Sequence, residues 1–181
     1  MPRNWKWMSS QTIYENPYLR LRKDRVLNPG RKEQDYSVIE IGDAVGIIAQ
    51  DADGGIYLLR EYRYPVKQTV WQLPAGRKET ELDLLANAKK ELKEEPNITA
   101  KKWKKIGSFY LNASIETTQG HIFHATELDT TKMDFRHQED NELILGIEKT
   151  PLEKMKQMIA HNEIKCGWTL AALNLFMTQQ K

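Results

Sequence analysis

The chain has 181 residues, with 27 Lys and Arg against 25 Asp and Glu and a formal net charge of +2, so it is not a protein that grips nucleic acid through bulk positive charge. A chain of this length buries roughly 70% of its unfolded surface and needs neither metal nor disulfide to fold; it carries a single cysteine, Cys166. No stretch approaches the ~20 apolar residues of a membrane span, and the N-terminal MPRNWKWMSS lacks the apolar run of a signal peptide, so a soluble, cytoplasmic protein without membrane contact is expected.

In chain order, strands are expected at 18–27 and 36–41, joined through the turn tripeptide Asn28-Pro29-Gly30, and Gly42-Asp43 marks a boundary. From Ala44 the run AVGIIAQ, a turn at 51–55 and IYLLREY read as a hairpin buried on at least one face. Val70-Trp71-Gln72-Leu73 reads as a short strand and Pro74-Ala75-Gly76 as a turn. Thr80 and Asp83 form a capping pair that opens a helix, which Pro96 closes because the residue before a proline is pushed out of the helical region. The basic run Lys101-Lys102-Trp103-Lys104-Lys105 alternates like the outer face of a strand rather than a nucleic-acid site. Strands at 106–111 and 121–125, a polar loop at 129–141, a strand at 143–147 and helices from Pro151 and Trp168 complete the pattern. Helices covering a mixed sheet make an α/β/α sandwich.

The chemistry concentrates on the helix ending at Pro96. Glu91 and Glu95 lie one turn apart on the same face, and Glu94 sits beside them. Carboxylates so close repel unless a cation sits among them, and hard oxygen donors suit Mg²⁺ or Mn²⁺ rather than zinc. Such ions complete their shells with water and phosphate oxygens, which points to diphosphate chemistry; the alternative is a solvated, salt-bridged helix face built on Lys90 and Glu94. Arg60 and Arg63 are three apart on a strand and therefore point to opposite faces, with Arg63 at the strand end the better candidate for bidentate phosphate binding. Trp71, Tyr62 and Tyr18 could stack on a base, although buried aromatics usually serve the core. His121 and His124 have the wrong spacing for a zinc pair on one strand face.

The segment from Gly76 to Ile98 resembles the box of the Nudix hydrolases, Gly-x5-Glu-x7-Arg-Glu-aliphatic-x-Glu-Glu-x-Gly-aliphatic. Gly76 matches the first glycine, Glu91 the Glu after the arginine, Leu92 the aliphatic residue, Glu94 and Glu95 the paired acids, and Ile98 the last aliphatic. Leu82 stands where the first Glu belongs, Lys90 where the Arg belongs and Asn97 where the second Gly belongs. Lysine keeps the charge without the planar fork of donors, Glu81 is one residue from the lost acid and could replace it, and Asn tolerates the left-handed conformation of a helix-ending glycine.

Beyond the box, the strand ending in Arg60-Glu61-Tyr62-Arg63-Tyr64-Pro65, the Trp71-to-Gly76 segment, Gly107-Ser108-Phe109-Tyr110, Ser114, Glu116 and Ile164-Lys165 resemble the ADP-ribose and nucleoside-diphosphate-sugar pyrophosphatase branch. The resemblance implies a Nudix fold for 44–181 and, for 1–43, a small β-sheet used in a homodimer and often exchanged between subunits. It also implies a metal site of Glu91, Glu94, Glu95 and the Ala75 carbonyl, and substrate contacts from Arg60, Arg63, Gly76 and Glu116. In the polar loop it makes Glu142 a candidate metal ligand and Asp140 or Glu139 the candidate base. The expected activity is Mg²⁺- or Mn²⁺-dependent hydrolysis of ADP-ribose or a nucleoside diphosphate sugar to a nucleoside monophosphate and a sugar phosphate. The alternatives are hydrolysis of dinucleoside polyphosphates and non-catalytic binding of a nucleotide sugar.

Overall fold

Apolar residues on both faces of a strand mark a position between two packed layers, and the run from Ala44 occupies such a position. The computed structural model describes residues 4–135 and 143–179. The chain divides into two compact units, Met1–Asp43 with Tyr110–Gln119, and Ala44–Phe109 with Gly120–Lys181.

The first unit is a small antiparallel sheet in the order β1-β2-β3, formed by β1 (Lys6–Glu15), β2 (Arg20–Leu27) and β3 (Glu33–Glu40). Strand β1 lies outside the strands expected from sequence because every one of its residues is exposed, so no alternation of burial marks it. The turn between β2 and β3 follows Asn28, whose Oδ1 accepts the Lys32 N–H at 3.0 Å. Cross-strand ion pairs decorate one face, Lys23 with Asp35 at 2.8 Å and Arg25 with Glu33 at 3.1 Å. Backbone bonds from Ile39 N to Ile115 O and from Thr117 N to Ile39 O, at 2.8 and 3.1 Å, tie the 110–119 segment to β3.

The second unit holds β4 (Ala44–Ala49), β5 (Ile56–Arg63), β6 (Gln68–Gln72), β7 (Ala75–Arg77), α1 (Leu84–Glu94), β8 (Thr99–Tyr110), β9 (Gln119–Asp129), β10 (Ile144–Thr150), α2 (Leu152–Ala160) and α3 (Gly167–Gln179). Its strands form two sheets, β10-β5-β6 and β7-β4-β9-β8. The expected hairpin of β4 and β5 is not formed. Both edges of β4 are occupied, by β7 antiparallel and β9 parallel, so β5 turns away after a single bridge between Gln50 and Ile56 and pairs with β6 and β10. Residues read as a turn, Ala75 and Gly76, begin β7. Strand β8 starts at Thr99, ahead of the expected start at 106, and includes the lysine run; Trp103 within it meets the Phe123 ring edge-on at 6.5 Å.

Alternate residues of β4 face opposite layers. Val45, Ile47 and Ala49 pack with Ala88 and Leu92 of α1, while Ile48 packs with Met155 and Met158 of α2 and Leu173 and Phe176 of α3. This is the expected α/β/α sandwich, with one of its two sheets mixed and the other antiparallel, and the small antiparallel sheet precedes it in the chain. Among the described residues no helix is long and apolar enough to cross a membrane.

Two close contacts give measurable consequences. Gly120 passes the face of Trp168, and a Cβ there would lie 2.5 Å from the ring. Gly120→Ala should therefore cost about 1–3 kcal/mol in urea unfolding, and less in a Trp168→Leu background, since the strain belongs to that pair. His124 is half-buried, bonded through Nε2 to Gln50 Oε1 at 2.9 Å and set edge-on to Phe176. Burial, aided by the Lys104 charge, holds its pKa below the usual value. Because the unfolded chain binds that proton more readily, stability should fall as pH drops through about 6.5, and His124→Gln should flatten that limb of the stability curve.

Candidate active site

On β5, period-two alternation puts Glu61 and Arg63 on one face and Arg60 on the other. Glu61 is 2% exposed, and it is held by Arg63 Nη1 at 2.9 Å and by the Nε2 of Gln72 on β6. Arg63 Nε also donates to Gln72 Oε1 at 3.0 Å, so acid, amide and guanidinium close a ring of contacts. Arg60 lies over the Trp71 ring, its register partner on β6, at 5.5 Å. The two arginines are thus on opposite faces, as their spacing requires. The buried Glu61 was missed by sequence reasoning; the signal was an acid inside an otherwise apolar strand, flanked by two arginines.

The turn between β6 and β7 is anchored from three sides. Leu73 N–H donates to Thr169 Oγ1 of α3 at 3.1 Å, Ile47 N–H of β4 donates to the Pro74 carbonyl at 2.9 Å, and β7 pairs with Ala44, Val45 and Gly46. Helix α1 approaches this turn with its acidic face. Glu95, 2% exposed, accepts the Ala75 N–H at Oε2, 3.0 Å away. The Glu91 carboxylate occupies the space that a side chain at Gly76 would fill. Glycine is required there for close approach rather than for backbone conformation.

Helix α1 starts three residues later than the Thr80 cap implies. Asp83 is its N-cap, accepting the Ala86 N–H at 2.7 Å. The helix ends at Glu94, before Pro96, and Asn97 takes a φ of 53°, the left-handed conformation expected where the family has glycine. Lys90 bonds Glu79 at 2.5 Å and Glu94 at 2.9 Å. Glu79 first, and Glu94 second, hold its ammonium protonated far above the usual lysine range. The acid that answers the loss at Leu82 is therefore Glu79, not Glu81, because the loop before the cap brings residue 79 back onto the helix. Asn87, fully buried, reinforces that loop: its Oδ1 accepts the Glu79 N–H at 2.8 Å, and its Nδ2 donates to the Arg77 carbonyl at 3.1 Å and to Glu91 Oε1 at 3.2 Å.

The structure thus brings Glu91, Glu95, Ala75 and Gly76 together and turns Glu94 toward Lys90. Among the described residues no group of three or more His, Cys, Asp and Glu side chains gathers closely enough to hold a metal ion. Two carboxylates beside a backbone turn still fit Mg²⁺, which is commonly held by one or two carboxylates while phosphates and water complete its shell. Glu116 lies in the first unit, its N–H bonded to the Asn112 carbonyl at 3.0 Å. Glu139, Asp140 and Glu142 lie outside the described residues.

Residues 40–166 match the sequence profile of the NUDIX domain. The chain belongs to the Nudix family. Residues 5–39 of this Nudix hydrolase match a second profile, the nucleoside diphosphate sugar hydrolase N-terminal domain. It is 26% identical over 175 residues to the ADP-ribose pyrophosphatase of Bacillus subtilis (strain 168), covering 97% of this chain and 94% of that protein. It is 27% identical over 148 residues to the ADP-ribose pyrophosphatase of Mycobacterium tuberculosis (strain ATCC 25618 / H37Rv), covering 79% of this chain and 70% of that one. A crystal structure of an ADP compounds hydrolase superposes with a TM-score of 0.82 over 96% of this chain and 92% of that chain, at 17% identity.

The Nudix turn yields a direct test. In Gly76→Ala the added methyl meets the far end of Glu91 rather than backbone, so the side chain moves and the fold persists. The expected outcome is a melting temperature within about 4 °C of wild type and a catalytic rate lowered about tenfold or more, read by calorimetry and by hydrolysis of a diphosphate substrate.

Proposed function

We propose that this Nudix hydrolase cleaves the diphosphate of ADP-ribose or of a nucleoside diphosphate sugar, releasing a nucleoside monophosphate and a sugar phosphate, with Mg²⁺ or Mn²⁺ at Glu91 and Glu95. The observation that carries the reading is the convergence of these two carboxylates on the Ala75-Gly76 turn, in a chain whose relatives include two ADP-ribose pyrophosphatases. A divalent cation at this position would neutralise charge developing on the phosphoryl oxygens and ease deprotonation of the attacking water.

The chain's own residues divide the remaining work. Glu91 and Glu95 would supply hard oxygen ligands, with Glu94 and the Ala75 carbonyl as auxiliary ones. Gly76 lets the turn come close by leaving room for the Glu91 carboxylate. Arg63, oriented by Glu61 and Gln72, offers its remaining guanidinium donors to a phosphate, while Arg60, on the other face of the strand, contacts another part of the substrate. Asp140 or Glu139 accepts the proton of the attacking water and Glu142 adds a ligand. The new P–O bond forms as the bridging P–O bond breaks, and the departing phosphate oxygen keeps the electron pair.

Non-catalytic binding is the second reading, and Leu82 at the box acid together with Glu94 drawn to Lys90 favours it. One assay separates the two: Mg²⁺-dependent release of nucleoside monophosphate from ADP-ribose, ADP-glucose, UDP-glucose, GDP-mannose and a dinucleoside polyphosphate. Turnover of ADP-ribose or a nucleotide sugar, reduced about a hundredfold or more in Glu95→Gln, is the expected result. Tight binding without turnover under both Mg²⁺ and Mn²⁺ sinks the hydrolase reading; turnover of the dinucleoside polyphosphate alone moves the substrate class.

Residues 1–43 are, on this reading, a dimerisation unit and 44–181 the catalytic domain. The support is the edge strand β1, which exposes Trp7, Met8, Ile13 and Tyr14, a composition suited to contact with a second copy of the chain. Light scattering should report a homodimer of the full chain, and Trp7→Glu with Ile13→Glu should shift it to monomer.

A further inference from the structure

The box helix carries a buried amide for which metal chemistry alone has no use. Asn87 is 0% exposed and one turn before Glu91 on the same face of α1. Its orientation is dictated by its partners: Glu79 N–H can only donate, and the Arg77 carbonyl and Glu91 carboxylate can only accept. Both amide hydrogens are engaged, one on the loop and one on the carboxylate. The same loop residue is caught a second time, because the Glu79 side chain ends on Lys90. Helix α1 thus grips Glu79 by backbone and by side chain, at the stretch of loop where Leu82 offers no acid of its own.

We propose that Asn87 is a positioning residue for Glu91, holding that carboxylate beneath Gly76 in the rotamer that presents it to a divalent cation, while fixing the 77–79 loop to the helix. The proposal rests on the reading of Glu91 as a metal ligand. A carboxylate at the end of a Glu side chain has several rotamers, and in this site they are narrowed where the absent Cβ of Gly76 makes room and the Asn87 amide holds one oxygen. Partners of ligands that act in this way typically change metal affinity or activity by about 10–100-fold when removed.

The test is Mn²⁺ binding to the full chain without substrate, followed by electron paramagnetic resonance, with kcat and KM measured alongside. Asn87→Ala should bind Mn²⁺ about tenfold or more weakly and lose kcat while KM changes little. Met158→Ala, a core truncation in α2, serves as the control for general destabilisation and should retain wild-type Mn²⁺ affinity. Asn87→Ser, which keeps one donor in a smaller side chain, should fall between Asn87→Ala and wild type, and it carries the test if Asn87→Ala does not fold. Wild-type Mn²⁺ affinity in a folded Asn87 variant, with affinity lost in Glu91→Gln, overturns the positioning role and leaves the metal reading standing. Wild-type affinity in Glu91→Gln overturns the metal reading itself.

Discussion

Two carboxylates forced onto one turn of helix repel each other, and the site exists because donors are placed to hold them there. The Ala75 N–H on Glu95 and the Asn87 amide on Glu91 supply that hold, the second within α1 itself and the first through the position of the β6–β7 turn. That position depends in turn on β4, whose Ile47 N–H donates to the Pro74 carbonyl and whose first residues pair with β7. The strand can serve as this anchor because both of its faces are buried, Val45, Ile47 and Ala49 against α1 and Ile48 against α2 and α3. The sandwich is therefore the means by which a helix face is aimed at a backbone turn.

Much of this architecture is legible in the residues, and the exceptions share a cause. The box helix, its stop at Pro96 and the left-handed Asn97 follow from local rules that need no knowledge of the rest of the chain. The apolar runs at 44–49 and 56–59 declare strands equally well, but periodicity does not say which strands will pair, and β4 and β5 enter different sheets. Strand β1 has no buried face to reveal it, and β7 is too short to show a period. The α1 cap was misplaced because Thr80 and Asp83 are both good caps, and tertiary contacts of the 77–79 loop decide between them.

The candidate site divides in the same way. Glu91 and Glu95 stand out by spacing, and Gly76 by its place in the family box. Glu79, Asn87 and Glu61 do not, because the contacts of Glu79 with Asn87 and Lys90, of Asn87 with Arg77 and of Glu61 with Gln72 span 8 to 11 residues through a loop or across a strand pair. The departures from the family box become intelligible as a group once these residues are included. With Leu82 apolar, Lys90 has no acid at the usual position and bridges Glu79 and Glu94 instead. The charge of Glu94 is thereby balanced within the helix, and the acidic face narrows to Glu91 and Glu95. A softened base and a missing acid have been absorbed by a rerouted ion pair and a buried amide.

The bond from Leu73 N–H to Thr169 Oγ1 joins residues 96 positions apart, tying the turn under the carboxylates to α3. During synthesis the box helix, β4 and the turn all emerge from the ribosome well before α3 exists to complete that anchor. Until the final helix docks, the Leu73 amide has no such acceptor and the core around Ile48 and Leu58 lacks its Leu173 and Phe176 covering. The order of translation thus opposes early assembly of the site: a nascent chain carries all its box residues well before it can hold them in place, and competence waits for α3.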